Sequence, residues 1–284
     1  MKPNVETFLG CGAPYTEAAA ALFGAPFDST ASFRPGARFG PAAIRHESFG
    51  LETYSPYQDR DLTDRAIFDC GDLELCFGSP ERALADIEAH TARLLTDQKL
   101  PVMLGGEHLV TLGAVRAALR QYPDLQLVHF DAHADLRNEY LGARLSHATV
   151  LRRCHDLLGD GRIHQFCIRS GERAEFSFAR AHTDLHPFGF DGLDQTVAAL
   201  KAANAPVYLT VDLDCLDPAL LPGTGTPEAG GVDFNALLDA IRLTCEANVR
   251  AADVNELAPM LDPGGASTAV ACKTERELLL ALKF

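Results

Sequence analysis

The chain has 284 residues, 47% hydrophobic and 23% charged, which excludes a disordered chain, a collagen-like fibre and a small disulfide scaffold. No stretch approaches the roughly 18–20 uninterrupted apolar residues of a membrane helix. With 39 Asp plus Glu against 25 Lys plus Arg, the net charge of −14 argues against nucleic acid as a partner, because phosphate contacts need clustered Lys and Arg. Residues 1–9 lack the basic start and apolar run of a secretory signal. The eight Cys are scattered, none at CxxC spacing. That argues against a zinc knuckle and predicts reduced thiols in the cytoplasm, several of them small core residues.

Short apolar runs predict strands over residues 22–27, 66–70, 102–104, 126–130, 163–168, 207–211 and 250–254. Several are continuous rather than alternating, as in strands buried on both faces of a parallel sheet. Helical patterns lie between them. Ser79-Pro80-Glu81 opens one helix with a capping residue and a Pro at the first position. Asp233 caps another, with Phe234, Leu237, Leu238 and Ile241 at helical spacing behind it. Residues 268–282 form a third. The alternation predicts an α/β fold with a parallel sheet. No linker, repeat or low-complexity stretch interrupts it, which predicts one domain over residues 1–284.

In such sheets ligands bind at the carboxyl ends of the strands. Polar residues directly follow four of the apolar runs, as Gly105-Gly106-Glu107-His108, Asp131-Ala132-His133-Ala134-Asp135, Asp212-Leu213-Asp214 and Asn255-Glu256. Alternate residues of extended chain face one side, so Asp131, His133 and Asp135 can converge, as can Asp212 and Asp214. With His108 they make four Asp and two His. Four carboxylates in one crevice repel, and two divalent cations offset their formal charge. Oxygen-rich ligation with some imidazole and no thiolate suits Mn²⁺ better than Zn²⁺. Six side chains for two ions imply bridging carboxylates and a bridging water made nucleophilic near neutral pH. His129 shares the parity of Asp131 but lies about 6.6 Å back along the strand, which predicts a structural role. Asp217, before Pro218, predicts a turn. Gly105-Gly106 taken alone reads as a turn.

These motifs identify the chain as similar to the ureohydrolases, the arginase and agmatinase family, over nearly its whole length. The resemblance rests on Gly24-Ala25-Pro26-Phe27-Asp28, on Arg34 to Pro41, and on the Gly105–His108 and Asp131–Asp135 segments. It continues through Ser146-His147-Ala148-Thr149, Asp212 to Pro218, Gly223 to Pro227 and Asn255-Glu256-Leu257. It implies a three-layer fold with a mainly parallel eight-stranded sheet between helices. It also implies a two-manganese site that hydrolyses a guanidinium group to urea and an amine. By that resemblance His108, Asp131, Asp135 and Asp212 bind one ion. His133 and Asp214, with bridging Asp131 and Asp212, bind the other. Asp135 holds the bridging hydroxide, His147 shuttles a proton to the leaving amine, Glu256 pairs with the guanidinium and Thr226 lies near it. Homo-oligomers, trimers or hexamers, are implied as well.

Arginase-type sequences follow the metal motif with Asn-Thr and later carry Ser and Asn before a His-Gly. Here the segment runs Leu136-Arg137-Asn138, with Ser146-His147-Ala148-Thr149 and then Arg152-Arg153, wording similar to agmatinases. The expected substrate is therefore agmatine, a small dication suited to an acidic mouth, giving putrescine and urea. The alternatives are a related guanidino-acid hydrolase, favoured by a basic residue such as Arg137 or Arg144 in the outer pocket, a zinc acyl-polyamine deacetylase, and a non-catalytic polyamine or metal sensor. Two residues depart from the family wording. Ala229 replaces a usual Pro, with little effect expected, and Asn255 precedes Glu256 where relatives carry an apolar or acidic residue.

Overall fold

Eight strands assemble into one sheet, described in a computed structural model covering residues 6–284. The elements begin β1 (Ala20–Ala25), α1 (Gly40–Ser48), the two-residue strands β2 (Tyr54–Ser55) and β3 (Arg60–Asp61), then β4 (Ile67–Asp72). There follow α2 (Pro80–Thr96), β5 (Leu100–Gly105), α3 (Thr111–Gln121), β6 (Gln126–Phe130), α4 (Val150–Leu158) and β7 (Ile163–Ile168). The remainder is α5 (Arg173–His182), β8 (Asp184–Pro187), α6 (Leu193–Ala202), β9 (Pro206–Asp212), α7 (Phe234–Thr244), β10 (Asn248–Asn255) and α8 (Ala266–Ala281). The large sheet has the order β4-β1-β5-β10-β9-β6-β7-β8. Every pairing in it is parallel. β2 and β3 form a separate antiparallel ribbon.

Each buried strand feeds two cores, because successive side chains point to opposite faces. Leu22, Val102, Leu104, Leu209 and Val211 pack on the side of α1, α6, α7 and α8. Phe23, Met103, Leu127 and Tyr208 pack on the side of α2, α3, α4 and α5. The expected helix starts occur. Ser79 Oγ accepts from Arg82 N at 3.3 Å, and Asp233 Oδ1 accepts from Ala236 N at 2.9 Å. The seven strands read from apolar runs are present; the eighth, β8, carries Asp-Leu-His-Pro at the sheet edge and is half-buried. Its polar residues give no apolar run. The reading of residues 1–9 lies largely outside the described residues. Among those described, no helix is long and apolar enough to cross a membrane, and all eight cysteines are free thiols.

The four strands that carry the polar motifs, β5, β10, β9 and β6, are consecutive in the middle of the sheet. Their carboxyl ends therefore open onto one crevice. Gly105-Gly106 is more than a turn there. A Cβ on Gly106 would overlap Phe27 O, and one on Gly105 would overlap Asn255 Oδ1. The bare backbone allows Glu107 N to donate to Phe27 O at 2.7 Å and Glu256 N to donate to Gly106 O at 2.9 Å. Gly106→Ala would drive its methyl group into the Phe27 backbone, which has no flexible side chain to yield. It is expected to destabilise the fold by about 3 kcal/mol or more, read as a lower midpoint in urea unfolding. A midpoint unchanged from the parent would contradict this packing.

Candidate metal centre and active-site cavity

Asp131, His133 and Asp135 follow β6, Asp212 ends β9, Asp214 lies in the turn after it, and His108 follows β5. The structure brings all six together. His108 Nδ1 is 3.0 Å from Asp131 Oδ2, 3.3 Å from Asp212 Oδ2 and 3.4 Å from Asp135 Oδ2. His133 Nδ1 is 2.9 Å from Asp214 Oδ2 and 3.4 Å from Asp131 Oδ1. Asp131 thus belongs to both groups. Several carboxylates have one oxygen fixed by backbone and the other turned to an imidazole. Asp212 Oδ1 accepts from Asp214 N at 2.9 Å, Asp214 Oδ1 from Ala132 N at 3.0 Å, and Asp131 Oδ1 from His133 N at 2.5 Å.

The buried atoms His108 Nδ1 and Asp214 Oδ2 have no hydrogen-bond partner. Buried polar atoms without partners are rare and costly. A nitrogen lone pair surrounded by three carboxylates needs a cation between them. The donor set, carboxylate and imidazole without thiolate, fits hard to borderline divalent ions. Without metal, protons fill this role. Burial opposes charge on both imidazoles, yet Asp131, Asp135 and Asp212 raise His108 well above its usual range, and Asp214 and Asp131 do the same for His133. Burial, reinforced by Asp131, pushes Asp135 up to about 7. Burial and the neighbouring Asp214 and Asp131 also raise Asp212.

Beneath the carboxylates runs a row of buried polar residues, one from each of four neighbouring strands. Asp253, Thr210, His129 and Gln165 are in direct register across β10, β9, β6 and β7. Gln165 Nε2 donates to Ala134 O at 3.0 Å, an acceptor only, which fixes the amide and leaves its second N–H toward His129 Nδ1 at 3.2 Å. His129 Nε2–H is therefore directed to Asp131 Oδ2 at 2.8 Å. His129 holds the shared carboxylate and does not present a lone pair to it. His108 Nε2 is 2.9 Å from Thr210 Oγ1, which leaves Nδ1 as the free nitrogen. Asn255 closes the row, with Nδ2 donating to Asp253 Oδ1 at 2.7 Å. Sequence reading classed His129 as structural and did not single out Thr210, Gln165 or Asp253. The signal was there: each interrupts an apolar run at the same depth. Arg169 supports the centre from the other side. It donates to the carbonyls of Cys167, Asp214, Cys215, Leu216, Glu228 and Ala229.

A cavity of about 290 Å³ opens above the cluster. His133, Asp135, Asp212, His147, Thr226 and Glu256 line it, with Ser32, Arg137, Tyr140, Ser170 and Glu172 toward the mouth. His108, Asp131 and Asp214 lie buried below. Asp135 and Glu256 both adopt positive φ, 52° and 69°, uncommon for residues with a Cβ and concentrated at functional sites. Glu256 Oε1 accepts from His108 N at 2.7 Å. Burial and the nearby Glu107 raise Glu256 well above the carboxylate range.

His147 opens a 3₁₀ turn, His147–Thr149, capped reciprocally by Ser146 and Thr149. Its Nδ1 can only donate to Thr30 O, at 2.9 Å, so Nε2 bears the lone pair, 3.2 Å from Ser32 Oγ. Thr30 in turn is held by Glu107, which accepts from Thr30 N at 3.0 Å and from its hydroxyl. Burial, with repulsion from His133 and His108, lowers His147 to about 4, so the ring is neutral at pH 7. Asp217 forms the expected turn, accepting from Ala219 N and Gly230 N.

His108 and His133 are raised in the metal-free cluster, so uptake of a divalent ion such as Mn²⁺ is expected to displace their protons. Calorimetric titrations in buffers of different ionisation enthalpy are expected to show net proton release at pH 7 and weaker binding as pH falls. Uptake at pH 7 without proton release would contradict the raised imidazoles.

The Arginase family profile matches residues 18–281. The agmatinase of Bacillus subtilis is 45% identical over 278 residues, 97% of this chain and 96% of that protein. A crystal structure from Clostridium difficile superposes with a TM-score of 0.92 at 46% identity, covering 95% of this chain and 98% of its own. The agmatine ureohydrolase of Thermoplasma volcanium superposes with a TM-score of 0.90 at 33% identity, covering 98% and 94%. A match over nearly the full chain, with the same α/β sheet and a convergent acid–imidazole cluster at its strand ends, means that the chain belongs to the arginase family of hydrolases.

Proposed function

We propose that the protein hydrolyses agmatine to putrescine and urea with two manganese ions. The observation that carries the reading is the convergence, around one cavity, of the six-residue cluster with Glu256 and a tautomer-fixed His147. The distances support His108, Asp131, Asp135 and Asp212 around one ion, and His133 and Asp214 with shared Asp131 and Asp212 around the other. When bound, two such ions offset the aspartate charge and bring the pKa of a coordinated water toward 7, supplying a nucleophile.

The chain's own groups do the rest. Glu256, anchored through Oε1 and lining the cavity, is raised in the empty site, and the positive charge of a bound guanidinium favours its ionised form, which pairs with the planar fork. Asp135, at the cavity wall, holds the proton of the reacting water by a hydrogen bond. His147 enters the cycle neutral. Its Nε2 takes up a proton and, because the lowered pKa makes the protonated ring a stronger acid, hands it readily to the departing amine. Thr226 lines the same wall and places a hydroxyl near the guanidinium. The eight free thiols agree with a cytoplasmic setting. We carry over the trimer or hexamer reading on family grounds alone.

One observation favours a second reading, a guanidino-acid substrate. Arg137 lines the outer cavity, whereas Arg144 is exposed and turned toward Asp156. Arg137 is already engaged, 3.3 Å from Glu172 Oε1, 3.3 Å from Glu175 Oε2, and over the Tyr140 ring at 4.3 Å. Two carboxylates against one guanidinium leave the mouth acidic, which suits the distal ammonium of agmatine.

A urea-release panel with Mn²⁺ tests this choice. We expect kcat/KM for agmatine to exceed that for 4-guanidinobutyrate and arginine by about tenfold or more, equivalent to about 1.4 kcal/mol. A preference for the guanidino acid would replace the first reading with the second. His147→Ala is expected to lose roughly 10²–10⁴ in rate with manganese retained. Loss of metal in that variant would remove His147 from proton transfer.

A further inference from the structure

A second cluster of metal-binding side chains lies away from the cavity, at the amino-terminal side of the sheet. α4 leads away from His147, and its nine residues cover about 13 Å. In its last turn His155 Nε2 lies 2.8 Å from Asp160 Oδ1. His182, in the last turn of α5, brings Nδ1 to 2.9 Å from the same oxygen. The three donor atoms lie within 4.8 Å of one another.

Two independent features prepare this place for a cation. The carboxyl ends of α4 and α5 converge on it, and each helix end carries partial negative charge. The rings are also pre-oriented by packing as well as by Asp160. Phe178 meets His155 edge-on at 4.8 Å and lies tilted by 32° over His182 at 4.3 Å, and the Arg152 guanidinium covers Phe178 at 3.9 Å. The connecting loop is held in place. Gly159 and Gly161 take φ of 84° and 71°, and Gly161 N donates to His182 O at 2.9 Å.

We propose that His155, Asp160 and His182 form a third metal site, distinct from the catalytic cluster, that takes a borderline divalent ion such as Zn²⁺. Two imidazoles and one carboxylate suit zinc, and a tetrahedral ion with bonds of about 2.1 Å separates its donors by about 3.4 Å. The present spacings are about half an ångström shorter. Asp160, 67% exposed at its side chain, is free to move out and leave the fourth position to water. The site ties two helix ends together, so its occupancy stabilises the folded chain by an amount that rises with the logarithm of free zinc above the Kd.

The test uses manganese-loaded protein dialysed against micromolar Zn²⁺, with metal counted per chain. The parent is expected to hold one zinc more than His182→Ala, and Asp160→Asn to bind that zinc at least about tenfold more weakly. The Cε1–H signals of His155 and His182 should shift with zinc in the parent. Zinc should raise the parent's Tm and leave that of His182→Ala unmoved. Urea release should be the same in parent and variants. Equal zinc content in parent and His182→Ala overturns the proposal. The difference between the two proteins removes any zinc that enters the catalytic cluster, so the result is independent of the function proposed above.

Discussion

Crowding of negative charge at the ends of four neighbouring strands is the constraint on which the rest of the structure depends. Asp131, Asp135, Asp212 and Asp214 are all nearly fully buried, and two imidazole nitrogens face them. Such an arrangement costs several kcal/mol per ion unless cations or protons lie between the groups. The fold meets this demand by placing β5, β10, β9 and β6 side by side, so that ligands from distant stretches of sequence reach one point. It also holds Asp135 and Glu256 at positive φ, where an ordinary loop would relax.

A tight cluster needs fixed geometry, and two layers of hydrogen bonding supply it. Below, the row Asp253–Thr210–His129–Gln165 orients His108 and Asp131. Above, Glu107 fixes Thr30, which fixes the ring and tautomer of His147. Partners that orient ligating imidazoles and carboxylates tune metal affinity almost as strongly as the ligands themselves. Asn255, which departs from the family wording, is absorbed into the lower row and does not line the cavity.

Much of this was legible in the sequence, for physical reasons. Strands buried on both faces announce themselves as apolar runs, and alternation with period two predicts which motif residues converge. β8 escaped because an edge strand need not be apolar. His129 was read as structural from its depth along β6. Its depth is as expected, but its hydrogen bond reaches the shared carboxylate. The partners of His147 could not be read because they depend on a loop packed against it from 117 positions away. Arg137 was one of two candidates for the outer pocket, and only packing distinguished it from Arg144.

Arg169 reads backbone alone: all six of its acceptors are carbonyl oxygens. Side chains at Cys215, Leu216, Glu228 and Ala229 take no part in that grip, so Ala229 serves where relatives carry Pro. Residues 228 and 229 are therefore held by their trace and not by their side chains, whereas Cys215 and Leu216 are also fixed by burial in the core. A substitution at 228 or 229 can thus be absorbed without reaching the acid–imidazole cluster, while a change at Arg169 would release residues 214–216 and 228–229 at once.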